Sequence, residues 1–168
     1  AAMNGTAGAG PGGGAAAVEL LPVLDRRRSG VLLHVSALGA GALGEPARRF
    51  VDWIATAGFS VWQVLPVGPT GPDGSPYWLS SDAAGNAAFL DPGAIPAPRG
   101  GRWEAFLAAS ADWLDDWALF AALRAQQGGA PWQQWPAPLR EREAGALREA
   151  RRALGAAIEA ERHAQFAF

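Results

Sequence analysis

The sequence predicts an α/β protein that begins with one strand–helix–strand unit and continues in helices. Two short apolar runs, at residues 31–35 and 59–65, are continuous rather than alternating, as in strands that are covered on both faces. A stretch with helical periodicity lies between them, which is the order of a parallel βαβ unit. The two strands are therefore expected to be parallel and adjacent, with a helical region after them.

Boundary signals support each element of this unit. Gly30 precedes the first apolar run, and Pro46 opens the helix, where its missing N–H group costs nothing. The helix carries one apolar stripe, and Gly58 follows it as a C-terminal cap should. The second run ends at Pro66. The helix is therefore predicted to begin at Pro46 and to end just before Gly58.

A long loop follows the second strand, from residue 66 to residue 101. Prolines recur along it and stiffen it by fixing φ. Loops of this length are usually functional or disordered, and the apolar side chains within this one favour packing. Its first part holds Ser75, Pro76, Tyr77 and Trp78. A rigid loop that presents aromatic and small polar residues after a strand is typical of a binding face.

The remainder of the chain is predicted to be helical, with helices at residues 103–109, 112–127 and 139–168. Gly128 and Gly129 provide the stop signal of the second helix. The third stretch is expected to form one long helix. The residues that share the aromatic face of the second helix are Trp113, Trp117, Phe120 and Arg124.

The composition argues against several classes of function. The 168 residues have a net charge of −2, with 14 basic residues, all arginine, and 16 acidic ones. The sequence has no basic patch, so a nucleic-acid partner is not expected. With no cysteine and two histidines, neither a disulfide nor a metal site is expected. No apolar run approaches the length of a membrane span. A neutral substrate fits this balance.

The N-terminal segment differs in composition from the rest of the chain. It begins AAMNGTAGAGPGGGAAA, which lacks the basic start and the leucine-rich centre of a secretory signal. Low-complexity sequence of this kind is typical of disorder. Residues 1–25 are therefore predicted to be disordered, and the protein is expected in the cytoplasm.

The order and spacing of its short motifs make the chain similar to amylomaltases, the 4-α-glucanotransferases of bacteria and plastids. Residues 28–91 resemble the N-terminal part of that family through RRSGVLLHVSAL, GEPARRFVDWIATAGFSVWQVLPVGPTG, GSPY and AGNAAFLD, and residues 113–154 contain a second match. Each motif alone is weak. The combination of WQVLP, GPTG, SPY and AGN in this order is specific.

The resemblance implies a (β/α)₈ TIM barrel, of which this chain contains the first two parallel strands. Residues 26–102 are then the first βαβ unit with its long substrate loop, and residues 103–168 are a helical insertion or subdomain. A closed barrel needs about eight strands, and two strands leave both sheet edges unpaired. Because the chain also starts without Met and stops inside a helical pattern, we interpret it as a truncated fragment of marginal stability.

The activity that the resemblance implies is transfer of α-1,4-glucan segments between maltooligosaccharides, without a cofactor. This retaining chemistry needs two carboxylates, which the family carries on later barrel strands, so no catalytic residue is expected here. Tyr77, in the matching S-P-Y segment, is expected to contact glucose near the cleavage point, because an aromatic plane suits the apolar face of a sugar ring. The predicted substrate-binding residues are Asp73, Ser75, Pro76, Tyr77 and Asn86.

Most candidate residues also have a structural interpretation. Without the resemblance, Tyr77 is interpreted equally well as a packed loop aromatic. Asp73 lies beside glycine, where aspartate is a routine turn former, and Asn86 suits a loop-holding role at least as well as a sugar contact. His34 is interpreted as a buried, hydrogen-bonded residue. Trp132 and Trp135 could form an exposed sugar platform, although packing against the preceding helix is the simpler interpretation.

The loop departs from the family pattern, which reads approximately T-G-Y-G-D-S-P-Y-Q. Pro72 replaces the first tyrosine, Asp73 and Gly74 stand in reversed order, and Trp78 replaces a polar residue. The role of the aspartate therefore stays open. Two other functions remain compatible with the residues: a non-catalytic glucan-binding fragment, and an inert truncated product.

Overall fold

Two short strands, β1 (Gly30–Leu32) and β2 (Val61–Gln63), pair in parallel, which confirms the predicted arrangement. The computed structural model describes residues 26–39, 42–71, 73–91, 98 and 100–168. The segment predicted to be disordered, residues 1–25, lies outside the described residues. Since the strands are parallel, their carboxyl ends lie at the same end of the sheet, and the loops that follow them begin there.

Helix α1 (Glu45–Thr56) connects the two strands and has Pro46 in its first turn, as predicted. It ends in a Schellman motif, in which the N–H groups of Gly58 and Phe59 donate to carbonyls of the last turn, both at 3.0 Å. Gly58 has a φ of +84°, a left-handed conformation that glycine adopts without a side-chain clash. The glycine that marks this boundary in the sequence therefore has a geometric reason.

Strand β1 is shorter than the apolar run that predicts it. The sequence predicts a strand over residues 31–35, but the chain leaves the sheet after Leu32. His34 caps the 3₁₀ turn Val35–Leu38, with its Nδ1 accepting from the Ser36 N–H at 3.3 Å. Val35 is buried within this turn. The apolar character of the run thus reflects core packing as well as strand pairing.

The second half of the chain is a layer of helices. Its helices are α2 (Gly101–Ala109), α3 (Leu114–Gln126), α4 (Ala137–Arg140), α5 (Ala144–Ala153) and α6 (Gly155–Ala167). Helix α3 packs against α6 and α5. The core between them consists of Ala118, Leu119, Ala122, Leu123, Trp135, Ala150 and Ile158.

Helix α3 buries its aliphatic face more deeply than its aromatic one. Leu119 and Leu123 are each 3% exposed, whereas Trp117 and Phe120 are half-buried at the edge of the core. The Trp117 indole N–H donates to Glu161 Oε1 on α6 at 2.7 Å. The aromatic face therefore forms the border of the helical core, where an indole can keep a polar partner.

The prediction of a single long helix over residues 139–168 is wrong, because the chain turns twice within that range. Helix α4 ends after Arg140 in a Schellman motif, in which the Glu143 N–H donates back to α4 at 2.9 Å. The left-handed position of this motif is Arg142, with a φ of +57°. A second break separates α5 from α6 immediately before Gly155. Without glycine at the first break, the sequence carries no obvious stop signal.

The strand–helix–strand unit is thinly covered by comparison. Leu32 is 61% exposed, Trp53 on α1 is 60% exposed and Val64 is 40% exposed. Val35 and Ile54 are among its few buried apolar side chains. None of the helices in the described part of the chain has the length and apolar character that crossing a membrane requires.

Candidate functional site

The segment of residues 69–80, which we call the 69–80 loop, is closed by its own backbone. An antiparallel bridge joins Thr70 to Leu79. The Ser80 N–H donates to Pro69 O at 2.7 Å, at the base of the loop. The loop therefore leaves and re-enters the structure at one place, like a short hairpin.

Polar side chains shape the tip of this loop. Asp73 Oδ1 accepts from the Ser75 N–H at 3.2 Å, and Ser75 Oγ accepts from the Tyr77 N–H at 3.4 Å. The Trp78 N–H donates to Ser75 O at 3.2 Å and closes the turn. In this structure Asp73 and Ser75 thus accept hydrogen bonds from the loop backbone, and Pro76 is half-buried.

The same turn exposes two neighbouring aromatic side chains. Tyr77 is 76% exposed and Trp78 is 75% exposed. Neighbouring exposed aromatic side chains form an apolar patch, and exposed apolar patches often mark interaction sites. Of the predicted substrate-binding residues, Asp73 and Tyr77 are exposed, whereas Ser75, Pro76 and Asn86 are half-buried.

Trp78 also forms one side of a groove between the 69–80 loop and the segment that connects α3 to α4. The groove has a volume of about 500 Å³. Trp132, which is 48% exposed, lines it from the helical side. Arg124 Nη1 donates to Ser80 Oγ at 3.4 Å across it. Its principal lining residues are Trp78, Leu79, Ser80, Phe120, Arg124 and Trp132.

The structure separates the two tryptophans of the α3–α4 connection. Trp135 is 5% exposed, and its indole N–H donates to Ala130 O at 3.0 Å. Its ring lies 5.5 Å from that of Phe120. Packing is therefore the role of Trp135, whereas Trp132 stands in the groove as an accessible aromatic surface.

Asn86 lies at the other end of the long loop and holds backbone. Its Oδ1 accepts from the Ala88 N–H at 3.1 Å and caps the 3₁₀ turn Ala87–Phe89. Its own N–H donates to Val67 O at 2.9 Å, which ties the turn to the start of the loop. The carboxamide oxygen thus has the loop-holding role that the sequence allows.

His34 connects the ends of the two strands. The Nε2–H donates to Pro66 O at 3.4 Å, while Nδ1 accepts from the Ser36 N–H. The ring also lies edge-on to Phe89, with centroids 5.6 Å apart. These contacts agree with the structural interpretation of His34, although the side chain is half-buried rather than buried.

Sequence reasoning missed one buried polar residue near the site. Gln165 on α6 is 6% exposed and bonds both backbone groups of Gly85, with Oε1 accepting from the N–H at 2.8 Å and Nε2 donating to the carbonyl at 2.9 Å. The available signal was periodicity, since Gln165 follows the core residue Ile158 by two helical turns. A polar residue on a buried stripe indicates a specific hydrogen-bond partner.

The acidic residues of α3 form ion pairs at the helical surface. Asp116 accepts from Arg142 at 2.8 Å and from Arg151 at 3.4 Å, and Asp115 pairs with Arg162. The hydrogen bond that Arg162 donates to Asp115 raises the pKa of Arg162, an effect that burial partly offsets. These aspartates therefore belong to the surface of the helical layer. Among the described residues, no group of three or more histidines or carboxylates could hold a metal ion.

Comparison with known proteins agrees with the motif pattern. A family model described as 4-alpha-glucanotransferase matches residues 32–102 and 94–168. The 4-alpha-glucanotransferase of Thermus thermophilus is 37% identical over 174 residues, covering 76% of this chain and 35% of that protein. That of Synechocystis is 34% identical over 176 residues, covering 75% of this chain and 35% of that protein. The chain spans about a third of the length of these curated relatives.

A solved structure has a similar fold. The amylomaltase from Streptococcus agalactiae, determined in complex with acarbose, has a TM-score of 0.72 and 24% identity, covering 85% of this chain and 39% of that one. This likeness concerns the fold, while the family match and the relatives above 30% identity concern the sequence. Together they show that the chain belongs to the 4-alpha-glucanotransferase family.

Proposed function

We propose that this chain forms part of the glucan-binding site of a 4-α-glucanotransferase, which transfers α-1,4-glucan segments between maltooligosaccharides. The observation that carries the proposal is the presentation of Tyr77, 76% exposed at the tip of a loop that its own hydrogen bonds close. An ordered loop loses less conformational freedom on binding than a flexible one. The phenol ring is therefore ready to pack against a sugar ring.

The groove beside the loop supports the same proposal. Its volume of about 500 Å³ lies within the range of small-molecule sites, and Trp78 and Trp132 offer aromatic surface at its border. Arg124 and Ser80 provide polar groups within it. Aromatic planes with a few fixed polar partners suit a glucan, which alternates apolar ring faces with hydroxyl groups.

The proposal places the chemistry outside the residues of this chain. Retaining glycosyl transfer needs a carboxylate nucleophile and a carboxylic acid. Asp115 and Asp116 are paired with arginines, and Asp73 bonds the loop backbone. We infer that β1 and β2 begin a (β/α)₈ barrel, with residues 26–102 as its first unit and residues 103–168 as a helical subdomain, and that later strands carry the acids.

Binding of maltoheptaose to the 168-residue chain tests the proposal. Calorimetric titration is expected to detect binding at about 1 mM, and Tyr77→Ala to weaken it about tenfold through loss of the ring contact. Tyr77→Phe is the matched control, because it keeps the ring and removes the hydroxyl. Absence of binding by the unsubstituted chain, or equal binding by Tyr77→Ala, would contradict the proposed site.

A turnover assay separates the transferase assignment from its alternatives. The chain alone is expected to produce no glucose or longer oligosaccharide from maltotriose, since its proposed role is binding. Turnover by the chain alone would contradict the location of the acids. Binding without any continuation of the coding sequence into further strands would favour a non-catalytic glucan-binding protein. The cytoplasmic location stays a prediction, which cell fractionation can check.

A further inference from the structure

We propose that Gln165 is a positioning residue that holds the 69–80 loop in place from the helical layer, and with it Tyr77. Only the second part of the inference, that Gln165 supports sugar binding through Tyr77, rests on the proposed function. Its structural part, the coupling of α6 to the loop, depends on contacts within the chain. Gln165 lies 80 residues from its partner Gly85 in the sequence, so the contact joins the two halves of the molecule.

The contact uses both ends of a carboxamide. Oε1 accepts from the Gly85 N–H at 2.8 Å, and Nε2 donates to the Gly85 carbonyl at 2.9 Å. Nε2 also donates to Glu161 Oε1 at 2.9 Å, and that oxygen accepts from the Trp117 indole at 2.7 Å. Gln165 is therefore fixed from its own helix and, through Glu161, from α3.

The chemistry of the pair is selective. A backbone N–H and a backbone carbonyl on one residue need an acceptor and a donor side by side, which a carboxamide supplies. A carboxylate at residue 165 would lack the donor and would face Glu161, while an apolar side chain would leave both groups of Gly85 unpaired. Since Gln165 is 6% exposed, water would replace these bonds only after the packing opens.

The residue that Gln165 contacts, Gly85, has no room for a side chain. A Cβ atom there would overlap the ring of Phe168, which lies against Gly85 at the end of α6. Close approach of backbone to a neighbouring group is a common reason for glycine within a loop. Gln165 and Phe168, at the end of α6, therefore both contact Gly85.

Gly85 connects this contact to the loop that carries Tyr77. Its neighbour Asn86 donates through its N–H to Val67 O at 2.9 Å, just before the loop begins. At the base of the loop, a Cβ atom on Gly68 would lie 3.0 Å from Leu79 Cδ1 and 3.4 Å from Ala84 O. Displacement of Gly85 would therefore disturb the start of the 69–80 loop, where Val67 and Gly68 contact its two neighbours.

Hydrogen exchange of the Gly85 and Ser80 amides, followed by NMR in the 168-residue chain, tests the coupling, because the Ser80 N–H closes the base of the loop. Gln165→Met keeps the shape and removes both bonds, so exchange at Gly85 is expected to accelerate about tenfold or more. Exchange at Ser80 is expected to accelerate with that at Gly85 in Gln165→Met, and unchanged exchange at Ser80 would overturn the coupling. Gln165→Glu keeps the acceptor and is expected to retain part of the protection. Ile158→Val is the control, because it loosens α6 in the core without touching the loop.

Sugar binding then tests the positioning role. Gln165→Met is expected to weaken maltoheptaose binding about fivefold or more, and Ile158→Val to leave it unchanged. Unchanged exchange at Gly85 in Gln165→Met, or equal acceleration by Ile158→Val, would overturn the coupling. If the unsubstituted chain binds sugar and Gln165→Met binds it equally, the positioning role is overturned. If the unsubstituted chain does not bind, the proposed function fails, while selective acceleration at Gly85 still supports the coupling.

Discussion

The helical layer and the strand–helix–strand unit are stabilised to very different degrees within one chain. In the helical layer, Leu114, Leu119 and Leu123 of α3 are each at most 3% exposed. In the β1–α1–β2 unit, Leu32 and Trp53 are 61% and 60% exposed. Buried apolar area is the main source of folding free energy, so most of it is expected in the helical layer.

This difference indicates that the β1–α1–β2 unit depends on the rest of the molecule for stability more than the helical layer does. The helices bury a continuous core between α3, α5 and α6. Within the described residues the sheet has two strands, and two strands rarely form a stable unit without further cover. The long loop joins the halves through the Gly85 contact to Gln165. The helical layer is therefore expected to stabilise the long loop. The sheet decides where this loop begins, because the loop follows the end of β2.

The largest effect is expected from a cavity in the helical core. Leu119→Ala should reduce the free energy of unfolding by about 2–5 kcal/mol, because Leu119 is 3% exposed among packed neighbours. Urea denaturation followed by circular dichroism measures this. Leu32→Ala is the comparison in the sheet and should cost less than about 1 kcal/mol. Equal costs at the two sites would contradict the unequal distribution of stability.

A smaller effect is expected at the junction of the two halves. Gly85→Ala should cost about 1–3 kcal/mol, since the new methyl group would overlap the Phe168 ring and displace it. Gly155→Ala is the matched control, because a Cβ atom there would meet nothing within 4 Å. The control should be neutral or slightly stabilising, as alanine favours the helix. Thermal unfolding of both variants measures the difference, and equal transition temperatures would count against the tight junction.

The smallest effect is expected on the exposed face of α1. Trp53→Gln should change the free energy of unfolding by less than about 0.5 kcal/mol, because the side chain is 60% exposed and has little packing to lose. The same substitution should reduce self-association at high concentration, since it removes exposed aromatic surface. Denaturation and light scattering measure the two quantities. A large loss of stability would show that Trp53 is more important to the unit than its exposure indicates.

The sequence predicts helix ends well where glycine occupies the left-handed position. Gly58 and Gly128 have φ values of +84° and +65°, and both ends are predicted correctly. The end of α4 has the same geometry with Arg142 at that position, and no sequence signal announces it. A non-glycine residue in this conformation costs free energy that tertiary contacts must offset. Here Arg142 also pairs with Asp116 at 2.8 Å.

The candidate site was predictable in part. Motif order indicates the loop that carries Tyr77, because a strand followed by a proline-rich segment is a local pattern. The contact between Gln165 and Gly85 was not predictable, because it depends on a tertiary approach across 80 residues. Likewise, periodicity could not decide which face of α3 is buried, since apolar residues lie on both. Packing with α6 decides in favour of Leu119 and Leu123.

The parallel pairing of β1 and β2 also gives the sheet a polarity. His34 bonds Pro66 just past the ends of both strands, so the two connecting segments emerge side by side. Any strand that joins β2 in the same direction would release its own connecting segment at this end of the sheet. A strand that joins in the opposite direction would release it at the far end. The orientation of β1 and β2 therefore decides at which end of the sheet the segment after any added parallel strand would emerge.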